Sequence, residues 1–128
     1  DVAMFRAEWA GTNESSKEFK RVTDFLRKGV LKEQDEKLSF IARRFANAKL
    51  NGNASQHLQQ CYVLAKQAVK LNPDSYSNQG TFAEICIALK KKSEAVKAAL
   101  AARALAEQET SKIIKLADAL VDRAKSIQ

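Results

Sequence analysis

The side chains best suited to chemistry in this sequence are two cysteines, Cys61 and Cys86, and a single histidine, His57. The cysteines stand 25 positions apart and form no CxxC pair, so their spacing does not match the usual zinc sites or dithiol redox motifs. Each cysteine falls on an apolar helical stripe, where a small buried thiol is the ordinary interpretation and a bridge between neighbouring helices is the alternative. These residues therefore predict no metal site and no cofactor.

His57 has neither a nucleophile nor a carboxylate beside it at helical spacing, so it lacks the partners of a catalytic base. We expect His57 to lie next to a loop and to face the solvent. The sequence also contains no glycine-rich phosphate loop, no HExxH motif and no nucleophile elbow. We therefore predict that this chain has no catalytic residues and is not an enzyme.

The formal net charge of +7 at pH 7 favours anionic partners. The basic residues are scattered, however, and the densest run is only Lys90-Lys91-Lys92. Solvated helix faces account for such a distribution better than a nucleic-acid surface does, so we do not expect nucleic acid to be the partner.

No apolar stretch approaches the length of a membrane span, which predicts a soluble chain without a transmembrane segment. Asp1 stands where a native start would have Met, so we expect a mature form or an excised fragment.

The elements that position these residues are predicted to be helices. Four glycines and one proline are too few for a loop-rich sandwich or barrel, and the Ala, Leu, Lys, Glu and Gln content favours helix. Apolar residues at i, i+3, i+4 spacing predict seven helices, over about 2–10, 15–29, 35–49, 55–71, 77–90, 93–106 and 110–125. The predicted fold class is all-α, and 128 residues suffice for one domain with its own core.

Two of the predicted helices have a clear inward stripe. The second helix is expected to bury Phe19, Val22, Phe25 and Leu26. The last helix is expected to turn a mainly apolar stripe inward, comprising Ile113, Ile114, Leu116, Ala117, Leu120, Val121 and Ala124. Its opposite face is polar, with Lys112, Lys115, Asp118, Asp122 and Arg123, as a terminal capping helix should be.

A repeat with an offset of 34 residues runs through the chain. Cys61, Ala65, Ala68 and Leu71 recur as Ala95, Ala99, Ala102 and Leu105. The period and the small residues resemble the tetratricopeptide repeat, whose second helices carry small residues that admit the first helices closely. The resemblance implies a right-handed superhelix of about seven antiparallel helices in one domain, 1–128. Within it we assign an N-terminal hairpin at 1–31, a degenerate repeat at 35–71, the clearest repeat at 76–107 and a capping helix at 110–125.

A narrower resemblance covers residues 38–123. Ile41-Ala42 and the stretches 62–71, 81–90 and 94–106 are similar to the helical region that follows the thioredoxin-fold domain in exported thioredoxin-like proteins of Bacteroidetes. This resemblance implies a location in the cell envelope or periplasm and a role beside a thioredoxin-fold domain, which would itself carry any active dithiol. That domain, covalently linked, is therefore one candidate partner.

Stacked helical hairpins curve, and their first helices line a concave groove that can hold a peptide or a partner helix. In the alignment of the two repeats, the residues facing this groove are Glu36, Ser39, Arg43 and Asn47 from one unit and Ser77, Gly80, Glu84 and Ile87 from the next. The competing interpretation is that these polar positions are merely solvated. The sequence thus predicts a protein interaction or scaffolding domain that binds a protein or peptide segment. The alternative is a free-standing basic helical adaptor that binds an acidic protein or nucleic acid.

Overall fold

A computed structural model of the chain describes residues 16–46 and 54–128. Within these ranges the chain is entirely helical, with no strand. The six helices are α1 (Ser16–Lys28), α2 (Asp35–Ala46), α3 (Ala54–Leu71), α4 (Tyr76–Ala88), α5 (Lys92–Ala106) and α6 (Ser111–Lys125). The all-α prediction is confirmed for the described residues. The helix expected over 2–10, which is half of the 1–31 hairpin, lies outside them, as does Asn47.

The helix ends follow from local side chains. Helix α3 ends at Leu71, just before Pro73, because proline cannot continue the helical hydrogen bonds. Helix α4 begins after Ser75, whose side chain accepts a hydrogen bond from the Asn78 backbone N–H at 3.1 Å. Thr110 caps α6 in the same way, by accepting from the Ile113 N–H. These caps fix the first residues of α4 and α6.

The end of α4 has an unusual feature, a lysine in the left-handed backbone region. Lys90 has a φ of 60°. Its N–H donates to the Ile87 carbonyl at 3.0 Å, and the N–H of Lys91 donates to the Cys86 carbonyl at 2.9 Å. These two bonds define a Schellman motif, in which glycine usually occupies the left-handed position. Lys90 therefore carries a backbone strain that glycine would not.

The helices pack as consecutive hairpins with a second set of contacts between alternate helices. From α2 onward each helix contacts the next one, and in addition α1 contacts α3, α2 contacts α4 and α4 contacts α6. Helix α4 is therefore central, and it buries residues around most of its circumference: Asn78, Gln79, Thr81, Phe82, Ala83, Ile85 and Cys86. The lateral row α2, α4, α6 is the framework of the candidate site.

Small side chains make the close approach of these helices possible. Cys61, Ala65 and Ala68 on α3 are fully buried. Their counterparts 34 positions later on α5, Ala95, Ala99 and Ala102, are fully buried as well. Interiors are densely packed, so a larger side chain at any of these positions would separate the helices.

Two residues expected in the core are exposed. Phe25 is 71% exposed, because the buried stripe of α1 passes through Thr23 instead. The Thr23 hydroxyl is satisfied inside the core by donating to the Phe19 carbonyl at 2.7 Å. Leu116 is 54% exposed, because it lies at the edge of the α6 stripe rather than at its centre. The inward predictions for Phe25 and Leu116 were therefore wrong.

None of the helices in the described ranges combines the length and the apolar character needed to cross a bilayer.

Candidate functional site

A groove of about 330 Å³ lies along the row of helices α2, α4 and α6. We call it the α2–α4–α6 groove. It is lined by Arg43 from α2, by Tyr76, Ser77, Gly80, Thr81 and Glu84 from α4, and by Leu116, Ala119, Leu120 and Arg123 from α6. Beyond Glu84 and Arg123 it continues into a depression of about 240 Å³ that Ile87 helps to line. The groove and this depression share Arg43, Thr81, Glu84 and Arg123, so together they form one open surface with a mixed apolar and charged lining.

An ion pair spans the groove from α4 to α6. Arg123 Nη1 donates to Glu84 Oε1 at 2.6 Å, and Arg123 Nη2 donates to Glu84 Oε2 at 3.4 Å. Both side chains are about half exposed, and exposed pairs contribute only about 0–1 kcal/mol to stability. A carboxylate from a ligand can therefore replace Glu84 as the partner of Arg123 at small cost.

Arg43 supplies a second guanidinium on the opposite wall. It donates to the Ser77 hydroxyl at 3.2 Å. Within the described residues no carboxylate forms an ion pair with Arg43. A guanidinium held by one neutral hydrogen bond keeps most of its donors available for an acidic side chain or backbone carbonyls.

Gly80 forms an open part of the groove floor. A Cβ added at this position meets nothing within 4 Å. Glycine inside a helix costs roughly 1 kcal/mol relative to alanine. No close approach of a neighbouring helix requires that cost here, so the open space at Gly80 faces the groove rather than the core.

The structure brings together five of the eight predicted groove residues, namely Arg43, Ser77, Gly80, Glu84 and Ile87. Glu36 is exposed near the start of α2 and does not line the groove. Ser39 is only 2% exposed, because its hydroxyl donates to Asn78 Oδ1 at 2.6 Å inside the core. Asn47 lies outside the described residues.

Sequence reasoning missed the contribution of the last helix. Leu116, Ala119, Leu120 and Arg123 make α6 a wall of the groove, opposite the residues of α2. The available signal was the pair Leu116 and Leu120, which lie four residues apart and so on one side of a helix. The lateral contact between α4 and α6 decides which side that is.

The thiols are placed as the ordinary interpretation of the sequence predicts. Cys61 and Cys86 are free and buried. Burial raises the pKa of Cys61 to about 12 and that of Cys86 to about 12. Since the thiolate is the reactive species, both side chains act here as small apolar core residues. No group of three or more metal-ligating side chains occurs in the part of the chain that the structure describes.

His57 is not the solvent-facing residue that we expected. It lies within α3 and is 2% exposed, with its ring stacked on Phe19 at a centroid distance of 3.9 Å. Neither ring nitrogen has a hydrogen-bond partner among the described residues. Burial lowers the pKa of His57, so the ring is neutral in the native state near pH 7. The prediction failed because a lone histidine does not reveal the aromatic neighbours that it meets.

Comparison of the chain with protein-family models, with curated proteins and with solved structures gives no match. The geometry of the groove is therefore the observation from which a function is inferred.

Proposed function

We propose that this chain is a helical interaction or scaffolding domain that holds a segment of a partner protein in the α2–α4–α6 groove. One observation carries the proposal: three helices side by side line an open groove with an apolar wall, two guanidinium groups and an open floor at Gly80. Grooves with apolar anchors and a few polar groups are typical of peptide recognition.

The lining defines the chemistry of the bound segment. Tyr76, Leu116 and Leu120 provide an apolar surface that suits an aliphatic or aromatic side chain. Arg43 and Arg123 lie on the walls to either side of the α4 floor and suit a carboxylate near that side chain. The expected ligand is therefore a segment with at least one large apolar residue and a neighbouring Asp, Glu or C-terminal carboxylate.

For the architecture, we propose a tetratricopeptide-like right-handed superhelix of about seven helices, with α6 as its capping helix. Two findings support this proposal. The contacts between α2 and α4 and between α4 and α6 are those expected when the first helices of successive hairpins lie side by side. The buried small residues on α3 and α5 share the 34-residue offset of that repeat.

We further propose that the domain acts beside a thioredoxin-fold domain in the cell envelope. The support is the resemblance of residues 38–123 to the helical region of exported thioredoxin-like proteins. The coding sequence upstream of Asp1 tests this: a Trp-Cys-x-x-Cys motif after a strand is expected. An upstream sequence without such a motif would remove the thioredoxin association and leave the groove proposal unchanged.

A phage-displayed library of random peptides, selected on the immobilised chain, tests the groove directly. Selected peptides should share an apolar residue next to an acidic one. The key variant is Gly80→Leu, which places a side chain in the open floor of the groove without a clash at its Cβ. We expect it to weaken binding of the selected peptides by about tenfold or more, since it occupies volume that the ligand needs.

Gly80→Ala is the matched control. It adds only a methyl group and should raise helix stability by roughly 1 kcal/mol while leaving most of the groove open. Circular dichroism checks that both variants stay folded. Selected peptides that bind Gly80→Leu as tightly as the original chain would place their binding site elsewhere and refute the groove proposal.

A further inference from the structure

A second surface lies on the other side of α4. It is a cleft of about 530 Å³ between α3 and α5, which we call the lysine cleft. Its lining comprises Lys66, Val69, Lys70, Pro73, Gln79, Phe82, Glu94, Lys97, Ala98 and Ala101. On α4, Gln79 and Phe82 point away from Ser77 and Gly80, because successive residues of a helix are rotated by about 100°. The cleft and the α2–α4–α6 groove are thus separate surfaces.

The rim of the cleft carries three lysines, two of which form no ion pair among the described residues. Lys66 and Lys70 lie on α3 and Lys97 lies on α5. Lys66 Nζ is 3.7 Å from the carboxylate of Glu94, which is the one acidic side chain among the described residues that line the cleft. No carboxylate in the described residues forms an ion pair with Lys70 or Lys97. The cleft therefore attracts anionic groups on both of its walls.

One end of the cleft is fixed by a polar cluster around Tyr62. The Tyr62 hydroxyl donates to Glu94 Oε2 at 2.7 Å and accepts from Lys66 Nζ at 3.2 Å. The Lys91 ammonium lies 4.8 Å from the centre of the Tyr62 ring, which adds a cation–π contact. Glu94 is thus already engaged by Tyr62 and Lys66, and it does not act as a counter-ion for Lys70 or Lys97.

The floor of the cleft is apolar, and this decides the class of ligand. Val69, Phe82, Ala98 and Ala101 line it, and the two alanines leave room for side chains of a partner. Lys66 and Lys70 are one helical turn apart, about 6 Å along the axis, the spacing of carboxylates at i and i+4 on a partner helix. A nucleic-acid backbone would match the lysines but would leave the apolar floor uncovered.

We propose that the lysine cleft binds an acidic amphipathic helix of a partner protein. The apolar stripe of that helix packs on Val69, Phe82 and Ala101, and the acidic residues that flank the stripe pair with Lys70 and Lys97. This surface is independent of the α2–α4–α6 groove, so one chain can hold two segments at once.

The test is fluorescence anisotropy with a labelled peptide made of Glu, Ala and Leu, with a Leu stripe flanked by Glu on both sides. The reference peptide has the same composition in scrambled order, so that its net charge is identical. At physiological salt, where long-range attraction is screened, the amphipathic peptide should bind at least about tenfold more tightly than the scrambled one.

Lys70→Glu with Lys97→Glu should weaken binding of the amphipathic peptide by about tenfold or more. The matched control is Lys112→Glu with Lys115→Glu, two exposed lysines on α6 that give the same change in net charge. We expect the control pair to change affinity by less than about twofold, because exposed charges beyond a Debye length are screened. Ala101→Leu should also weaken binding, since it fills the floor.

Four results would overturn the proposal, the last being a loss of peptide binding in Gly80→Leu. Equal affinity for the scrambled peptide would show that only net charge matters, and an equal loss in the α6 control pair would show that the cleft is not the site. A single-stranded oligonucleotide that binds the chain and is released by Lys70→Glu with Lys97→Glu would assign the cleft to nucleic acid instead. Gly80→Leu must leave peptide binding at the cleft intact.

Discussion

The Ser39 hydroxyl donates a hydrogen bond of 2.6 Å to Asn78 Oδ1, and this contact joins α2 to the middle of the bundle. Asn78 uses its amide nitrogen as well, donating to Asp35 Oδ2 at 2.8 Å and to the Ala68 carbonyl at 3.2 Å. A single buried side chain therefore connects α2, α3 and α4. Because α2 supplies one wall of the groove and α4 its floor, Asn78 also helps to hold that wall against the floor.

Replacing this connection should destabilise the fold. Asn78→Leu leaves the buried Ser39 hydroxyl without its acceptor, which costs about 1–3 kcal/mol, and it removes one hydrogen bond from the partly exposed Asp35 carboxylate. We expect the free energy of unfolding to fall by about 2–3 kcal/mol in urea denaturation. Gln59→Leu, an exposed amide on α3, is the control and should change it by less than about 0.5 kcal/mol. A small effect of Asn78→Leu would show that the network is dispensable.

The role of Ser39 could not be read from the sequence, because its partner is 39 residues away. The prediction that Ser39 lies in a helix was correct, because the 3.6-residue periodicity of Leu38, Ile41 and Phe45 was enough to place α2. What periodicity cannot supply is the rotation of one helix against another. That rotation turns Ser39 into the core and leaves Arg43, four residues later, in the groove.

A second prediction concerns acid sensitivity at His57. Above about pH 6.5 the imidazole is neutral in both the folded and the unfolded state. Burial lowers the pKa of His57 in the fold, so as the pH falls below 6.5 the unfolded chain binds the proton first. The free energy of unfolding should therefore decrease as the pH is lowered from 6.5 toward the folded-state pKa.

His57→Phe should remove this decrease in the free energy of unfolding at acidic pH and keep the stacking on Phe19. It should also raise stability at pH 8 by about 1 kcal/mol, because it eliminates two buried nitrogens that have no hydrogen-bond partner among residues 16–46 and 54–128. Urea denaturation at pH 8 and pH 5 measures both effects. Asp24 does not interfere: despite partial burial, hydrogen bonds from Lys20, Gln60 and Arg27 hold its pKa below the usual range, so its effect begins near pH 4. The same pH dependence in His57→Phe would contradict the assignment to His57.

The third prediction is that Lys90→Gly stabilises the protein. Lys90 has a φ of 60°, which costs an L-residue about 1 kcal/mol or more, and glycine adopts this conformation without strain. We expect a gain of roughly 0.5–1 kcal/mol in thermal or urea unfolding. Lys97→Gly, in the interior of α5, should instead lose about 1 kcal/mol. Equal losses in the two variants would show that Lys90 carries no strain.

The fourth prediction separates buried thiols from reactive ones. Cys61 and Cys86 should react with a thiol reagent such as dithionitrobenzoate only as fast as the protein opens, because both are buried and the pKa of each is raised to about 12. In denaturant both should react at once. Ser93→Cys, on the exposed first turn of α5, supplies the control of rapid native-state labelling. Rapid native labelling of the unmodified chain would point to an accessible thiolate.

The candidate site was predictable in part: the position of Glu84 followed from the sequence, but its ion-pair partner did not. The repeat alignment placed Glu84 on the groove side of α4, where it lies. Its partner Arg123 was assigned to the outer polar face of the capping helix. The pair forms because α6 packs beside α4. Glu84 and Arg123 are 39 positions apart, so no local sequence pattern predicts their contact.

At Gly80, the shape of the groove can change without a change in how the helices pack. A Cβ added at this position enters open space in the groove, because nothing lies within 4 Å of it. Natural variation at residue 80 can therefore change which partners fit without disturbing the packing that folds the chain.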